Sequence, residues 1–322
     1  MNIIDKIAIT SRSFSSNEKL VSELKQRYKE ISFNNTGKTL EGDELINFLK
    51  GKSKAIVGLE SINESLIDKL PNLKVISKFG VGLNNIDLKA MKKKSIALGF
   101  KAGTNKQSVA ELALFLILMS LRRIPSSKEE IIARRWNQNK GNELYAKTIG
   151  IIGFGNIGQK LAHLLEPFQC RLIFFDSYSF SKKDILRISR NQKNKSLENI
   201  QQKTLKEILI ESDVISIHLP LLHETRNIIG EYEMSIMKSD VRVVNTSRGG
   251  VVDEKALLNF LNNNQEAFAS FDVFETEPAF DNPLLNLANF YATSHLGSMT
   301  LEGVISMGMA AIDGLDENDI PI

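Results

Sequence analysis

Short apolar runs alternate with amphipathic segments along nearly the whole chain. Within the first hundred residues, four runs have the composition of strands: KIAIT, KAIVG, KVISKF and SIALGF. Three intervening segments carry Leu, Ile and Phe at helical spacing, at residues 17–28, 42–49 and 61–70. Strands and helices that alternate in this way are typical of a parallel sheet covered by helices. The first part of the chain is therefore predicted to be a flavodoxin-like α/β unit.

A second α/β unit begins at TIGIIGFG. Its further apolar runs are RLIFFD, DVISIHL, VRVVNTS and FASFDVF. Between the two units, residues 108–123 are apolar nearly throughout, which predicts a buried helix. Ser108 and Glu111 have the spacing of a capping box, so this helix is expected to begin at Ser108. Pro125 is expected to mark its end.

A glycine-rich turn follows the first strand of the second unit and leads into a predicted helix at residues 157–165. The first glycine permits a tight turn, the second lets a pyrophosphate approach the backbone, and the third lets the helix pack on the strand. The helix N-terminus favours the negative charge of the phosphates. The context predicts a dinucleotide site. Its expected contacts in the turn are Gly153, Gly155, Asn156, Ile157 and Gly158.

Asp176 ends the next strand, 18 residues after Gly158. A carboxylate at this place accepts hydrogen bonds from the ribose hydroxyls and repels a 2′-phosphate, so it favours NAD over NADP. The alternative is a strand-end residue that caps the following turn.

Three further segments, each at the end of a predicted strand, carry Arg248, Glu277 and His295. Hydride transfer from a 2-hydroxy acid needs a base for the hydroxyl proton, a partner for that base, and a cation for the carboxylate. His295 suits the first role, Glu277 the second, and Arg248 can grip a carboxylate through two hydrogen bonds. Taken singly, each of the three could be an ordinary ion-pair residue. Of the other histidines, His163 and His223 are interpreted as packing or loop residues.

Composition and charge narrow this picture. The 322 residues are long enough for two domains, and a net charge of +3 is too weak to indicate a nucleic-acid partner. Cys170, the one cysteine, excludes an internal disulfide framework and is expected to be a buried, inert thiol. No metal site is expected. There is no signal-peptide pattern, and the longest apolar run, residues 112–121, spans about half a membrane, so a cytoplasmic protein without a membrane partner is expected.

Seven ordered segments between about residues 74 and 312 resemble the D-isomer-specific 2-hydroxyacid dehydrogenases, most closely their D-3-phosphoglycerate dehydrogenase branch. The segments are KVISKFGVGLNNIDLKA, NKQSVAELALFLILMSLRRIP, RWNQNKGNELYAKTIGIIGFGNIGQKLA, HLPLLHETRNII, NTSRGGVVDEKAL, DVFETEP and SHLGSMTLEG. In that family the Arg, Glu and His of the last three segments form the catalytic triad. The resemblance therefore implies this role for Arg248, Glu277 and His295.

The resemblance also implies a domain arrangement. A flavodoxin-like substrate domain, residues 1–100 and 295–322, would be interrupted by a Rossmann NAD-binding domain, residues 101–294. A C-terminal helix at residues 300–315 would cross back to the substrate domain. The active site would then lie in the cleft between the domains.

Further contacts are implied by the same resemblance. Backbone amides around Val81, Gly82 and Leu83 would help hold the substrate carboxylate; the alternative for this loop is a plain glycine turn. Asp272 would meet the nicotinamide carboxamide. Thr225 would lie near the cofactor, and Pro220, Thr246 and Gly297 are further expected cofactor contacts. From its position after an apolar strand, His218 is expected to line the cofactor pocket. The sequence departs from the family pattern at Asn84, where Asp is usual, at Ala146, where Gly is common, and at Met299, where Ser is frequent.

The expected activity is reversible oxidation of a small D-2-hydroxy acid by NAD, with 3-phosphoglycerate, the precursor of serine, as the first candidate substrate. Lys78, Lys101, Lys106, Arg134 and Arg135 could contact a phosphate, or be solvated surface charges. Glyoxylate or hydroxypyruvate reduction is an alternative, whereas formate enzymes have Gln at the position of Glu277. A dinucleotide-sensing corepressor scaffold is a more remote alternative.

A homodimer through the NAD-binding domain is the family expectation. Trp136 would take part as an interface anchor, or would pack within its own chain. The chain ends at Ile322, so no feedback through an appended regulatory domain is expected.

Overall fold

A computed structural model describes residues 5–192, with side chains up to residue 189, and residues 200–321. The chain forms two compact units. Unit 1 comprises Met1–Asn105 and Thr300–Ile322, and unit 2 comprises Lys106–Met299. A polar stretch at residues 181–203, which the sequence predicts to be solvent-facing helix and loop, lies partly outside the described residues, at 193–199.

Strands and helices alternate through both units. The strands are β1 (Lys6–Ile9), β2 (Glu30–Phe33), β3 (Lys54–Val57), β4 (Val75–Lys78), β5 (Ala97–Gly99), β6 (Thr148–Ile152), β7 (Arg171–Phe175), β8 (Gln201–Gln202), β9 (Val214–Ile217), β10 (Arg242–Asn245), β11 (Phe268–Phe271) and β12 (Phe290–Ala292). The helices are α1 (Arg12–Ser15), α2 (Glu18–Arg27), α3 (Gly42–Leu49), α4 (Glu64–Asp68), α5 (Leu88–Lys93), α6 (Lys106–Leu121), α7 (Ile124–Ile132), α8 (Asn156–Leu164), α9 (Lys182–Gln192), α10 (Leu205–Glu211), α11 (Glu231–Ser235), α12 (Glu254–Asn263) and α13 (Leu301–Asp313). Short 3-10 turns lie at Glu166–Phe168 and Pro283–Asn286.

Unit 1 is built on a parallel sheet with the order β2-β1-β3-β4-β5. This is the flavodoxin-like order, and it confirms the α/β class predicted from the apolar runs. The central strands are apolar and buried, as in β1, where Ile7 and Ile9 are fully buried. The edge strand β2 was not predicted, because its residues are polar or half-buried and give no apolar run.

Helix α13 completes the core of unit 1, although it lies near the other end of the chain. Ala311 and Ile312 pack in the same apolar cluster as Ile7 and Phe14. The approach to α2 is close: a Cβ atom on Gly308 would lie 2.3 Å from Leu20. The C-terminal helix predicted for residues 300–315 is therefore present and covers one face of this sheet.

Unit 2 contains a seven-stranded parallel sheet with the order β12-β11-β10-β9-β6-β7-β8. Apolar clusters cover both of its faces, as the continuous apolar runs of its strands require. The strand order reverses between β6 and β9. In an open sheet of this kind, ligands bind beyond the carboxyl ends of the strands at the reversal. The glycine-rich turn follows β6 at this position.

Helix α6 is buried along most of its length and packs within the core of unit 2. The predicted start at Ser108 is wrong: the helix begins at Lys106, and Ser108 is a buried residue inside it. The exposed Lys106 and Gln107 extend the helix, and Gln107 bonds to Glu111 in place of the predicted cap. Neither α6 nor any other helix within the described ranges is long and apolar enough to span a membrane.

The boundary near the end of unit 2 differs from the predicted one. Residues from 295 onward are expected in the first domain, whereas the compact unit extends to Met299. His295 therefore lies in unit 2. The reason is backbone pairing: β12 pairs with β11, and His295 N–H donates to the carbonyl of Asp272 at 2.9 Å.

Candidate active site

The glycine-rich turn joins β6 to α8, and its three glycines meet different constraints. Gly153 has φ +94°, and a Cβ atom there would lie 2.6 Å from the carbonyl oxygen of His218. A Cβ atom on Gly158 would lie 2.2 Å from the carbonyl oxygen of Gly153. A Cβ atom on Gly155 would meet no atom within 4 Å. The first and third glycines are thus required by chain packing, while the second keeps the backbone accessible beside the first turn of α8.

Asp176 lies directly against this turn. Its Oδ2 accepts a hydrogen bond from Phe154 N–H at 2.7 Å, and its Oδ1 accepts one from Tyr178 N–H at 2.9 Å. The second bond is the turn cap considered as the alternative role for Asp176. A carboxylate oxygen has two lone pairs, so each oxygen can accept a further bond.

Two buried polar atoms lie at the carboxyl ends of β9 and β10. His218 Nε2 is 2.9 Å from Ser216 Oγ, whereas its Nδ1 is buried without a hydrogen-bond partner in the described chain. Burial lowers the pKa of His218 to about 3, so the ring is neutral. Thr246 Oγ1, at the end of β10, is likewise buried without a partner within residues 5–192 and 200–321. Unsatisfied polar atoms of this kind are suited to a ligand that supplies hydrogen bonds.

The loop after β9 is held by Thr225. Its hydroxyl donates to the carbonyl of Pro220 at 2.6 Å and accepts from Leu222 N–H at 2.7 Å. Thr225 and Pro220 were predicted as cofactor contacts, and the structure gives Thr225 a bonding role inside its own loop.

Arg248 lies in the loop that follows β10, and Asn245 organises this loop. Asn245 Oδ1 accepts from Ser247 N–H at 3.0 Å, while its Nδ2 donates to the carbonyl of Arg248 at 3.1 Å. Burial lowers the pKa of Arg248, and the carboxylate of Glu277 acts in the opposite direction. The guanidinium still carries its charge at neutral pH, because arginine is not deprotonated in proteins.

Gly249 brings the Arg248 loop against the segment that follows β11. A Cβ atom on Gly249 would lie 1.9 Å from the carbonyl carbon of Phe274. Such a separation is impossible for a real side chain, so the two loops can meet in this way only at a glycine.

Glu277 and His295 form the pair expected from the sequence. Glu277 Oε1 accepts from Phe274 N–H at 3.0 Å, and Oε2 lies 2.8 Å from His295 Nδ1. An ionised carboxylate only accepts, which assigns the imidazole proton to Nδ1 and leaves Nε2 as the proton acceptor. The side chains are 47% and 38% exposed for His295 and Glu277, so a small molecule can reach the ring.

The backbone of His295 has φ +57°, in the left-handed region that few non-glycine residues adopt. Asp272 holds the surrounding loop. Its buried carboxylate accepts from Thr293 Oγ1 at 2.6 Å, from Leu296 N–H at 2.6 Å and from Gly297 N–H at 2.8 Å. Asp272 and Gly297 were predicted to contact the cofactor, and the structure joins the two to each other.

In unit 1, Lys78 ends β4 just before the predicted substrate loop at Val81 and Gly82. Lys78 is buried, and its ammonium group donates to the carbonyl of Gly58 and to Asn85 Oδ1, the latter at 2.8 Å. Asn85 in turn donates to the same carbonyl at 3.0 Å. Lys78 therefore links the ends of β3 and β4.

The family model described as "D-isomer specific 2-hydroxyacid dehydrogenase, NAD binding domain" matches residues 114–297, more than half of the chain. The chain belongs to this family. The matched segment contains the glycine-rich turn, so this turn is part of an NAD-binding domain. Arg248, Glu277 and His295 also lie within it.

Curated relatives in the family include two with different named activities. D-3-phosphoglycerate dehydrogenase of Methanocaldococcus jannaschii is 36% identical over 276 residues, which are 85% of this chain and 50% of that protein. The chain thus spans about half the length of this relative. Hydroxypyruvate reductase of Thermotoga maritima is 35% identical over 284 residues, 86% of this chain and 88% of that protein.

Among solved structures, a D-isomer-specific 2-hydroxyacid dehydrogenase from Polaromonas has a TM-score of 0.85 at 26% identity. The alignment covers 97% of this chain and 96% of that one.

Some residues of this family member that shape the site were not singled out from the sequence. Asn245 and Gly249 lie on either side of Arg248 within its motif, and Glu254 begins the next helix. Asn245 lies three residues before Arg248 in the same motif, and this spacing could have indicated that Asn245 organises the Arg248 loop. Gly249 approaches Phe274, 25 positions away, and Glu254 bonds to Glu275 and Asn282, which are 21 and 28 positions away. The local sequence carries no sign of such contacts.

The remaining predicted cations lie at the surface. Lys101, Lys106, Arg134 and Arg135 are exposed, and Arg135 pairs with Glu130 at 2.7 Å. No cluster of three or more His, Cys, Asp or Glu side chains suited to a metal occurs in the described ranges.

Proposed function

We propose that this chain is an NAD-dependent oxidoreductase that interconverts a small D-2-hydroxy acid and its 2-oxo acid. The observation that carries the proposal is the 2.8 Å bond between Glu277 and His295, in the same unit as the NAD-binding turn. A histidine oriented by a carboxylate is the arrangement expected of a general base.

The residues present fit the cofactor. Backbone amides of Asn156 and Ile157, at the start of α8, would hold the pyrophosphate beside Gly155, where a Cβ atom would meet nothing within 4 Å. Asp176 would accept bonds from the ribose hydroxyls, and the buried Thr246 Oγ1 offers a hydroxyl to the bound molecule. When bound, NAD accepts the hydride that leaves C2 of the hydroxy acid.

His295 moves the proton in this proposal. Its Nδ1 is held by Glu277, so Nε2 faces the substrate as an acceptor and takes the proton of the C2 hydroxyl. Glu277 stabilises the imidazolium that results, because the carboxylate lies within hydrogen-bond distance of the positive ring. In the reverse direction the same nitrogen returns the proton to the carbonyl oxygen.

Arg248 orients the substrate. Its planar guanidinium can bind a carboxylate through two parallel hydrogen bonds, a geometry that lysine cannot match. Because the group is partly buried, its attraction for an anion is screened less by water than that of a surface arginine.

The first candidate substrate is 3-phosphoglycerate, which would be oxidised to 3-phosphohydroxypyruvate as a step toward serine. The 36% identity to the Methanocaldococcus enzyme of that name supports this candidate. A phosphate would require cations in addition to Arg248, and Lys78, the last residue of β4, is the candidate.

A second candidate is an unphosphorylated acid such as hydroxypyruvate or glyoxylate. One observation favours it: the ammonium group of Lys78 is buried and bonded to Gly58 and Asn85. A phosphate would have to reach an ammonium group that is buried and already donates two of its three hydrogens. The 35% identity to the Thermotoga reductase is consistent with this candidate.

A substrate panel tests both candidates. Purified protein is supplied with NAD and the D- or L-isomer of 3-phosphoglycerate, glycerate, lactate or 2-hydroxyglutarate. In the reverse direction it is supplied with NADH and the matching 2-oxo acids, and NADH is followed by absorbance in both cases. Turnover with D-acids and not with their L-isomers supports the proposed activity, and the absence of turnover with every acid, in either direction, rejects it. A higher kcat/KM for 3-phosphoglycerate supports the first candidate, and one for glycerate supports the second.

We also propose a homodimer formed through unit 2. Trp136 is 80% exposed, and Ile131 and Ile132 at the end of α7 are exposed beside it in sequence. Aromatic and aliphatic side chains exposed together are typical of protein interfaces. The molar mass from light scattering should be about twice 36.0 kDa. A monomeric mass at micromolar concentration contradicts the proposal.

A further inference from the structure

Glu254 is the first residue of α12 and follows Asp253, whose side chain caps the helix. The Glu254 carboxylate bonds to residues outside the helix. Oε1 accepts a hydrogen bond from Glu275 N–H at 2.7 Å, and Oε2 accepts one from Asn282 Nδ2 at 2.6 Å. One carboxylate thus holds two points that are seven residues apart in the chain.

The segment between these two points contains Glu277. The anchor at Glu275 lies next to the peptide N–H of Phe274, which itself donates to Glu277 Oε1 at 3.0 Å. The backbone of Phe274 also packs closely against Gly249 in the Arg248 loop. The Glu277 carboxylate, which orients His295, therefore belongs to a short segment, residues 275–282. Glu254 bonds to both ends of that segment.

We propose that Glu254 is a positioning residue that acts through Glu277 on His295. The inference rests on the proposed dehydrogenase function for its kinetic consequence. Loss of either bond from Glu254 frees one end of the 275–282 segment. The Glu277 carboxylate can then move relative to His295 Nδ1, and the bond between them is no longer held in a single geometry. A displacement of about 1 Å at a catalytic group can cost about 100-fold in rate.

A carboxylate in the first turn of any helix also stabilises that helix through its dipole. Glu18 provides a matched control for this effect. It is the first residue of α2, a ten-residue helix like α12, and it likewise follows a capping residue, Asn17. Glu18 is exposed and lies in unit 1. The substitution Glu18→Gln therefore removes the same charge from the same helix position without affecting the 275–282 segment.

The kinetic test uses Glu254→Gln. The amide has nearly the shape of the carboxylate, but its NH₂ group would face a donor, either Glu275 N–H or Asn282 Nδ2. We expect kcat to fall by about 10- to 100-fold, with the dissociation constant for NADH unchanged. Glu18→Gln should keep kcat within twofold, where twofold is about the precision of such a comparison. A loss of less than twofold in Glu254→Gln, or an equal loss in Glu18→Gln, overturns the proposal.

A double variant separates positioning from general damage to the fold. In Glu254→Gln with Asn282→Asp, the new amide NH₂ can donate to the new carboxylate, and the amide oxygen still accepts from Glu275 N–H. The second oxygen at position 282 can keep the bond that Asn282 Oδ1 accepts from Leu284 N–H at 3.0 Å. Asn282→Asp by itself places two carboxylates together. We expect both single variants to lose activity and the double variant to recover most of it; a double variant as slow as the singles overturns the proposal.

A spectroscopic measurement decides the inference independently of turnover. The chain has four histidines, so the imidazole nitrogens of His295 can be assigned by ¹⁵N NMR with His295→Ala as the reference. In the wild-type protein at alkaline pH, the His295 proton should reside on Nδ1, and in Glu254→Gln the fraction of this tautomer should fall. An unchanged tautomer fraction overturns the inference. If the wild-type protein oxidises none of the acids tested, the proposed function fails, and the tautomer result still decides the role of Glu254.

Discussion

Glu277 Oε2 lies 2.8 Å from His295 Nδ1, although each side chain reaches the pair from a different strand end. Glu277 follows β11, whereas His295 follows β12 and has a left-handed backbone. Neighbouring parallel strands end at the same edge of the sheet, which explains why residues 18 positions apart meet there. Four predictions depend on this edge of unit 2.

The first concerns the base itself. His295→Ala removes the proton acceptor, so kcat should fall by about 10²- to 10⁴-fold. NADH binding, measured by fluorescence titration, should be nearly unchanged, because the glycine-rich turn is untouched. His223→Ala, at an exposed loop position, is the matched control and should retain activity. Turnover of His295→Ala within a few-fold of the wild type would show that another group takes the proton.

The second concerns the contact between the Arg248 loop and the segment after β11. Gly249→Ala would place a Cβ atom 1.9 Å from the backbone of Phe274, so the two loops must separate. We expect the free energy of unfolding to fall by about 1–3 kcal/mol, measured by urea titration, and kcat to fall with it. Gly230→Ala is the control, since its Cβ atom would have ordinary contacts of 3.4 Å or more. Equal stability of the two variants would contradict the expectation.

The third concerns cofactor choice. Asp176→Ala removes the carboxylate that accepts from Phe154 N–H and that is expected to bind the ribose. A hydrogen bond to a charged group contributes about 1.5–3 kcal/mol, so KM for NAD should rise by roughly tenfold or more. KM for NADP should rise less, because the repulsion of its 2′-phosphate is lost. Parallel kinetics with the two cofactors check this, and an unchanged ratio of the two KM values would exclude Asp176 from the ribose site.

The fourth concerns pH. Burial lowers the pKa of His218 to about 3, below the value near 6.5 of an unfolded chain. The unfolded state therefore binds more protons between these values. The stability that comes from the neutral ring is fully present above about pH 6.5 and is lost as the pH falls toward 3, with a slope of at most about 1.4 kcal/mol per pH unit.

Urea titrations of the wild type and His218→Asn at pH 7, 6 and 5 measure this loss. The wild type should lose stability on acidification more steeply than His218→Asn, and His223→Asn should behave like the wild type. Parallel curves for the wild type and His218→Asn would mean that His218 is protonated in the folded protein.

Much of the fold could be predicted because its signals are local. The apolar runs of β1, β3, β4 and β6 stand out in the sequence, and the buried strands of a parallel sheet require such runs. The edge strands β2 and β8 could not be found in this way. They are short and partly polar, since an edge strand has less surface to bury.

For the candidate site, the sequence predicts which motifs contribute residues, but it does not predict the contacts that these residues make with distant segments. Asp176, whose spacing from the glycine-rich turn predicts a place at the dinucleotide site, lies against Phe154 in that turn. Lys78 differs, because its burial and its bonds to Gly58 and Asn85 depend on how β3 and β4 lie side by side. The contacts of Glu254 likewise form only when the distant segment that contains Glu275 and Asn282 folds against it. Such contacts are fixed by tertiary packing, which a single sequence does not display.

The place of α13 in unit 1 has a consequence for how the chain is made. The ribosome releases β1 and β3 first, but the residues that cover Ile7, Ile9 and Ile56 include Ala311 and Ile312, which emerge only after the whole of unit 2. Unit 2 is one continuous stretch, so it can complete its core while the sheet of unit 1 still exposes this apolar face. A nascent chain is therefore expected to need protection from aggregation until α13 is synthesised.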